Sequence, residues 1–170
     1  CIVEDENKTI WIGTRLGLAR FEESTMTFTR FEHDTTGTHA EFHARNRIID
    51  MIVDQHGFLW MTTLKGLYKF SLINFGFTCY LVDTSDINSF TANHLGPITF
   101  DTEGDLWVSL YGKGVFQFDT NAHQFIPVEL PNIDLSSAMK QVNDMQCDKR
   151  GNIWVASSTN GLIVFNKSIH

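Results

Sequence analysis

Short apolar runs alternate with polar breaks along the whole chain. The stretch Ile48 to Asp54 holds Ile48, Met51, Ile52 and Val53, and a break follows at Gln55-His56-Gly57. Next come Phe58 to Thr62, a turn at Leu64-Lys65-Gly66, the run Leu67 to Phe70, and a fourth run from Gly76 to Val82 rich in aromatic and β-branched residues. Runs of about four to eight such residues, bounded by Gly, Asp and Asn, are strand-like. No window of helical length carries the roughly 3.6-residue periodicity of an amphipathic helix. The pattern predicts an all-β chain of short strands.

The same order of runs and breaks recurs in register four times. Trp11, Trp60, Trp107 and Trp154 lie 49, 47 and 47 residues apart. Six residues before each stands an aspartate: Asp5, Asp54, Asp101 and Asp148. Three before the last three stands a glycine (Gly57, Gly104, Gly151), with Lys8 in that place in the first copy. After each Trp comes a Gly-apolar pair opened by Gly17, Gly66, Gly114 or Gly161, then Phe21, Phe70, Phe118 or Phe165. A second phenylalanine follows in three copies: Phe28, Phe77 and Phe125. A repeat of about 40–50 residues with four antiparallel strands is the mark of a β-propeller blade. Blades are expected over approximately residues 1–33, 46–82, 93–130 and 139–170.

In such a blade these residues have structural work. The Asp-x-x-Gly segment fits the connection between first and second strands, where the carboxylate caps backbone N–H groups and glycine supplies a positive φ. Tryptophan, starting the second strand, fills the space between neighbouring blades. The two Phe positions are expected to build the inter-blade core. With Lys8 replacing the turn glycine, Asn7 is expected to take the left-handed position in the first copy.

The residues Asp54-Gln55-His56-Gly57-Phe58-Leu59-Trp60, running on to Phe70, resemble the two-component-regulator propeller repeat. Trp11-Ile12-Gly13-Thr14-Arg15-Leu16-Gly17-Leu18, running on to Phe21, resembles it more closely, with the Trp-x-Gly-Thr core and the Gly-Leu pair. Asp101 to Phe118 and Asp148 to Phe165 are similar, with one extra residue before the Gly-apolar pair. Asn46-Arg47-Ile48 and Asn93-His94-Leu95 also stand at equivalent places. The resemblance covers essentially the whole chain. It implies the periplasmic sensor half of a membrane-spanning bacterial regulator, often a hybrid histidine kinase responding to polysaccharide breakdown products. It also implies a larger, seven-bladed propeller to which the remaining blades of a parent chain contribute. It implies no catalytic residue, because the repeat carries none.

Four repeats are too few for seven blades, and the chain starts and stops within a blade, so a segment of a larger propeller is the expected arrangement. A four-bladed ring and association of copies, for example as a homodimer through unpaired edges, are the alternatives. Cys1 at the start would also suit a lipidated N-terminus, but its place in a strand speaks against that. Cys1, Cys79 and Cys147 have no metal spacing and are expected to be buried, unpaired thiols. No apolar run approaches the roughly 18 residues of a membrane span, so the segment is not expected to insert directly.

Chemistry, if any, falls on loops. Arg15, Lys65 and Lys113 recur at the turns between second and third strands, with Tyr111 and Asn160 nearby. Together they form a candidate rim for an anionic or hydroxyl-rich ligand such as an oligosaccharide, since guanidinium forks grip carboxylates and sulfates; solvated turn residues are the plainer reading. The longer loop from Glu32 to Arg45 holds His33, His39 and His43 with Asp34, Glu41 and Phe42, and His39-x-Glu41-x-His43 shares one face if extended. That spacing matches no metalloenzyme pattern, so no metal or cofactor is assigned. A net charge of −7 with no Lys/Arg cluster argues against nucleic acid. No phosphate-binding glycine loop, nucleophile elbow or His-Glu-x-x-His motif is present. A propeller lyase or glycosidase would need a convergent acid and base, and the loops offer only Glu32, Asp34, Glu41, Asp83 and Asp86. A sensor is thus expected, with an enzyme or a pure interaction scaffold as alternatives.

Overall fold

The computed structural model describes residues 1–31, 47–82, 93–128 and 141–166, all strand, turn or extended chain without helix. The candidate metal triad His39, Glu41 and His43 and the carboxylates Glu32, Asp34, Asp83 and Asp86 lie outside the described residues. Among the described residues, fifteen strands form four antiparallel sheets. The first holds β1 (Ile2–Glu4), β2 (Ile10–Thr14), β3 (Gly17–Glu22) and β4 (Thr27–Phe31). The second holds β5 (Ile48–Val53), β6 (Phe58–Thr63), β7 (Gly66–Ser71) and β8 (Phe77–Tyr80). In the third are β9 (Leu95–Phe100), β10 (Leu106–Leu110), β11 (Gly114–Asp119) and β12 (Gln124–Pro127). In the fourth, among the described residues, are β13 (Val142–Cys147), β14 (Asn152–Ser157) and β15 (Gly161–Asn166). Each sheet is a simple meander in chain order, the topology of a propeller blade.

The aspartate of each repeat does more than cap a turn. Asp5 Oδ1 accepts from the backbone N–H groups of Asn7 and Thr9, each at 2.9 Å, while its Oδ2 accepts from the Trp11 indole Nε1 at 2.9 Å. Asp54, Asp101 and Asp148 make the same clamp, with indole bonds of 2.9 Å from Trp60, Trp107 and Trp154. One carboxylate therefore closes the turn and satisfies the only polar atom of the core tryptophan, which burial would otherwise leave costly. The i, i+6 spacing carries this bond.

At the first of these turns the expectation for Asn7 fails. Lys8 itself takes φ = 67°, alongside 79°, 88° and 80° at Gly57, Gly104 and Gly151. The bonds from Asp5 to residues on both sides of Lys8 fix the path between them, so the side chain must tolerate the left-handed region. The second Phe positions also depart from expectation. Phe28 is exposed and Phe77 and Phe125 are half-buried, because they lie on the outermost described strands. There they cover the inner rings rather than join them: Phe21–Phe28, Phe70–Phe77 and Phe118–Phe125 centroids are 5.2, 4.6 and 4.8 Å apart. The thiols differ too: Cys1 and Cys79 are exposed and Cys147 half-buried, none in a disulfide.

The chain divides into two units, Cys1–Asn93 and His94–His170. In the first, Trp11, Leu18, Ile48, Met51, Leu59, Met61, Tyr68 and Phe70 form one core between the first and second sheets. Trp11 meets Phe70 edge-on at 5.5 Å and Phe31 at 5.7 Å. In the second unit, Trp107, Val115, Met145, Ile153, Val155, Ile163 and Phe165 form the core between the third and fourth sheets, with Trp107 5.5 Å from Phe165. The same contact, Trp of one repeat on Phe of the next, thus builds both units.

Candidate functional site

The turns between second and third strands are shaped by local hydrogen bonds. In the first sheet the Thr14 hydroxyl donates to the Gly17 carbonyl at 2.8 Å and accepts from Leu16 N at 3.0 Å. Thr63 repeats this in the second sheet with Gly66 O and Lys65 N, both at 3.0 Å. A threonine at the strand end and a glycine with positive φ, 110° at Gly17 and 138° at Gly66, thereby hold Arg15 and Lys65 at equivalent turn positions. Arg15 is exposed and Lys65 half-buried.

The second unit carries the other three rim candidates. Its turns are one residue longer, and Lys113 N donates to Leu110 O at 3.0 Å across the first of them. Tyr111, Lys113 and Asn160 are exposed. Tyr111 stacks on His94, with centroids 4.9 Å apart and planes 12° from parallel, and its N–H donates to the His94 carbonyl at 2.9 Å. The structure therefore places two cationic turn residues in the first unit and an aromatic, a cation and an amide in the second. His94 is a member that sequence reasoning did not single out; its place next to the long loop was the available signal.

The first unit also has a concave site absent from that set. A groove of about 260 Å³ on the second sheet is lined by Phe58, Lys69, Ser71, Asn74, Phe77 and Tyr80 among others. The Lys69 ammonium sits 3.8 Å from the Phe58 ring centroid and 5.0 Å from that of Trp60, while Tyr80 stacks on Trp60 at 6.0 Å. Burial pushes the Tyr80 phenol up from its ordinary pKa. The volume falls below the roughly 300–1,000 Å³ of drug-sized sites, which limits it to a small group. The sequence signal was a lysine inside an otherwise apolar strand, between aromatic residues on both neighbouring strands.

No residue in these places forms the nucleophile, acid and base set that covalent chemistry requires. Among the described residues no group of His, Cys, Asp and Glu has a metal-holding arrangement. Among them, too, no helix is long and apolar enough to cross a membrane.

No protein-family model and no curated protein matches the chain. Solved structures do. The extracellular domain of BT4673 from B. thetaiotaomicron, assigned to a hybrid two component system, superposes over 99% of the chain at 25% identity and a TM-score of 0.76. That of BT3049 from the same organism, also assigned to a hybrid two component system, superposes over 100% at 19% identity and 0.74. The chain is a propeller segment similar to two-component sensor domains. It spans 23% and 22% of the lengths of those two structures. A streptogramin B lyase superposes over 98% of the chain and 54% of its own length at 16% identity and 0.67, a likeness of fold alone.

Proposed function

We propose that this chain is a non-catalytic, ligand-sensing propeller segment of a bacterial transmembrane two-component regulator, acting on the extracellular or periplasmic side. The observation that carries the reading is the likeness at 25% identity, over 99% of the chain, to an extracellular domain assigned to a hybrid two component system. The repeat supports it in a second way: its recurring polar residue, the aspartate, is spent on turn and indole. Kinase activity belongs to other parts of a parent protein anchored in the inner membrane. The ligand class is carbohydrate, taken at strand-two to strand-three turns: in the first unit Arg15 and Lys65 offer charge to carboxylate or sulfate groups, and in the second unit Tyr111 offers a ring face beside the Lys113 charge.

Thermal-shift screening against neutral, uronic-acid-containing and sulfated oligosaccharides tests this. Saturation at about 100 times Kd adds about 2.7 kcal/mol. For a chain of this size that raises Tm by roughly 5–10 °C. The expected result is such a shift with at least one charged oligosaccharide, reduced severalfold in Kd terms by Tyr111→Ala or Lys113→Ala. A shift that survives Arg15→Ala, Lys65→Ala, Tyr111→Ala and Lys113→Ala alike would move the site elsewhere. No shift with any sugar would remove carbohydrate as the ligand class.

A further inference from the structure

Beside each tryptophan the repeats carry different chemistry. Across the ladder from Trp11 stands Arg20, from Trp60 Lys69, from Trp107 Gln117 and from Trp154 Val164. The first two alone are cations. Two residues further along the strand, and so on the same face of the sheet, Arg20 is followed by Glu22 and Lys69 by Ser71. In the first sheet the ion pair is complete, because the Arg20 guanidinium donates to the Glu22 carboxylate. In the second sheet the cation is kept and its carboxylate is replaced by a hydroxyl.

Lys69 is half-buried, with its ammonium 3.8 Å from the Phe58 ring centroid and 5.0 Å from that of Trp60. The ring faces attract it but bring no counter-charge. Among the described residues it forms no ion pair. A cation drawn partly out of water in this way is stabilised by an anion that reaches it. The space for one is the groove of about 260 Å³ that Lys69 lines, and no acidic side chain lines it. Its other polar groups can donate. The Asn74 Oδ1 accepts the Gly76 N–H at 2.9 Å, which leaves the Asn74 Nδ2 as a donor. The Ser71 Oγ accepts from Ile73 N and Asn74 N, each at 3.3 Å, which leaves its O–H to donate. Thr78, next to Lys69 in register, adds a second hydroxyl. The groove belongs to an interior repeat, with a described repeat before and after it in the chain, and its neighbour Trp60 is buried.

We propose that the Lys69 groove binds the carboxylate of a small organic acid, which takes the place that the Glu22 carboxylate holds beside Arg20 in the first sheet. Lys69 supplies the charge, Asn74, Ser71 and Thr78 supply hydrogen bonds, and the Phe58 ring lines the wall against which the body of the acid rests. The site is distinct from the turn residues: Phe58 opens β6 and Ser71 closes β7, so the groove lies at the end of that hairpin away from Lys65. A net charge of −7 repels anions in general, so their capture here is a property of the groove and not of the overall field.

Titration of the ¹⁵N-labelled 170-residue chain with acetate, benzoate and glucuronate at neutral pH, with glucose as the uncharged control, tests the proposal. The expected result is a saturable shift of the amide signals of β7 and β8 by at least one of the acids and none by glucose. A Kd of about 1–10 mM suits a small ligand held by few contacts. Which acid binds most tightly tells a bare carboxylate from one on an aromatic or a sugar body. Lys69→Gln should weaken binding about tenfold or more, since it removes the charged donor. Thr78→Glu, at an exposed position, brings an internal carboxylate to the ammonium and should close the site while leaving the melt unchanged. Arg20→Gln and Lys113→Ala should leave binding as it is, which separates this groove from the turn site. No saturable shift with any of the acids overturns the proposal. So does binding that persists in both Lys69→Gln and Thr78→Glu, or binding that Lys113→Ala removes.

Discussion

At the scale of single residues, the Asp–Trp clamp is the unit from which each sheet is built, and its removal has a defined cost. Asp101→Ala strands the Trp107 indole and releases two turn N–H groups held at 2.9 Å. The turn amides find water, but the buried indole does not, so the expected loss is about 2–3 kcal/mol, read as a lower urea midpoint. Lys8 gives the opposite sign. A left-handed residue with a side chain costs about 1–2 kcal/mol, of which glycine returns part as unfolded-state entropy. Lys8→Gly should therefore raise stability by about 0.5 kcal/mol, since the exposed Lys8–Glu4 pair contributes little. At Gly66, with φ = 138°, an added Cβ would lie 2.9 Å from the Tyr80 carbonyl oxygen, whereas at Gly161 it meets nothing within 4 Å. Gly66→Ala should cost about 2–3 kcal/mol and Gly161→Ala about 1 kcal/mol, so their ratio in parallel melts separates contact from backbone strain.

Asp148 adds a pH dependence. Hydrogen bonds from the Trp154 indole, and next from the Asn152 side chain, hold its carboxyl well below the usual carboxylate range. Because the folded pKa is depressed, its stabilisation is complete above the unfolded value of about 4 and fades as pH falls below that. Asp148→Asn should accordingly flatten the fall of Tm between about pH 4 and 2 and leave the slope between pH 5 and 8 unchanged. An equal slope in both proteins would separate Asp148 from acid sensitivity.

At the scale of elements, strands and turns were legible because four copies phase one another. The Gly-apolar pair marks the start of β3, β7, β11 and β15, and Gly17, Gly66, Gly114 and Gly161 all adopt positive φ. What the sequence did not disclose depends on partners across strands. Lys8 looked unsuited to a left-handed turn until the Asp5 bonds on either side were seen. The second phenylalanines read as core because periodicity reports side-chain chemistry, not how far a strand lies from the sheet's covered centre. Irregularities between β5 and β6, β9 and β10, and β13 and β14 recur at equivalent points and leave no one-residue signature. For the packing between sheets, a double-mutant cycle on Trp107→Leu and Phe165→Leu should give a coupling of about 0.5–1.5 kcal/mol. Coupling near zero would mean that the rings touch without contributing jointly.

At the scale of the whole molecule, the repeat named the blade and the class of protein it resembles, while the candidate site was only half readable. Arg15, Lys65, Tyr111, Lys113 and Asn160 were proposed from turn positions, which repeat. The His94–Tyr111 stack and the Lys69 groove were missed, because each arises from side chains on different strands that meet only after pairing. Function follows the same division, since the architecture is set by repeated residues and any ligand must be met by residues that differ between copies. The central claim is recognition without turnover. One sample decides it most directly: the chain incubated with the oligosaccharide giving the largest thermal shift, followed at the same time for Tm and for the sugar by chromatography. A raised Tm with the oligosaccharide recovered whole is the expected result. Consumption of the sugar with appearance of product would contradict the claim and make the segment an enzyme.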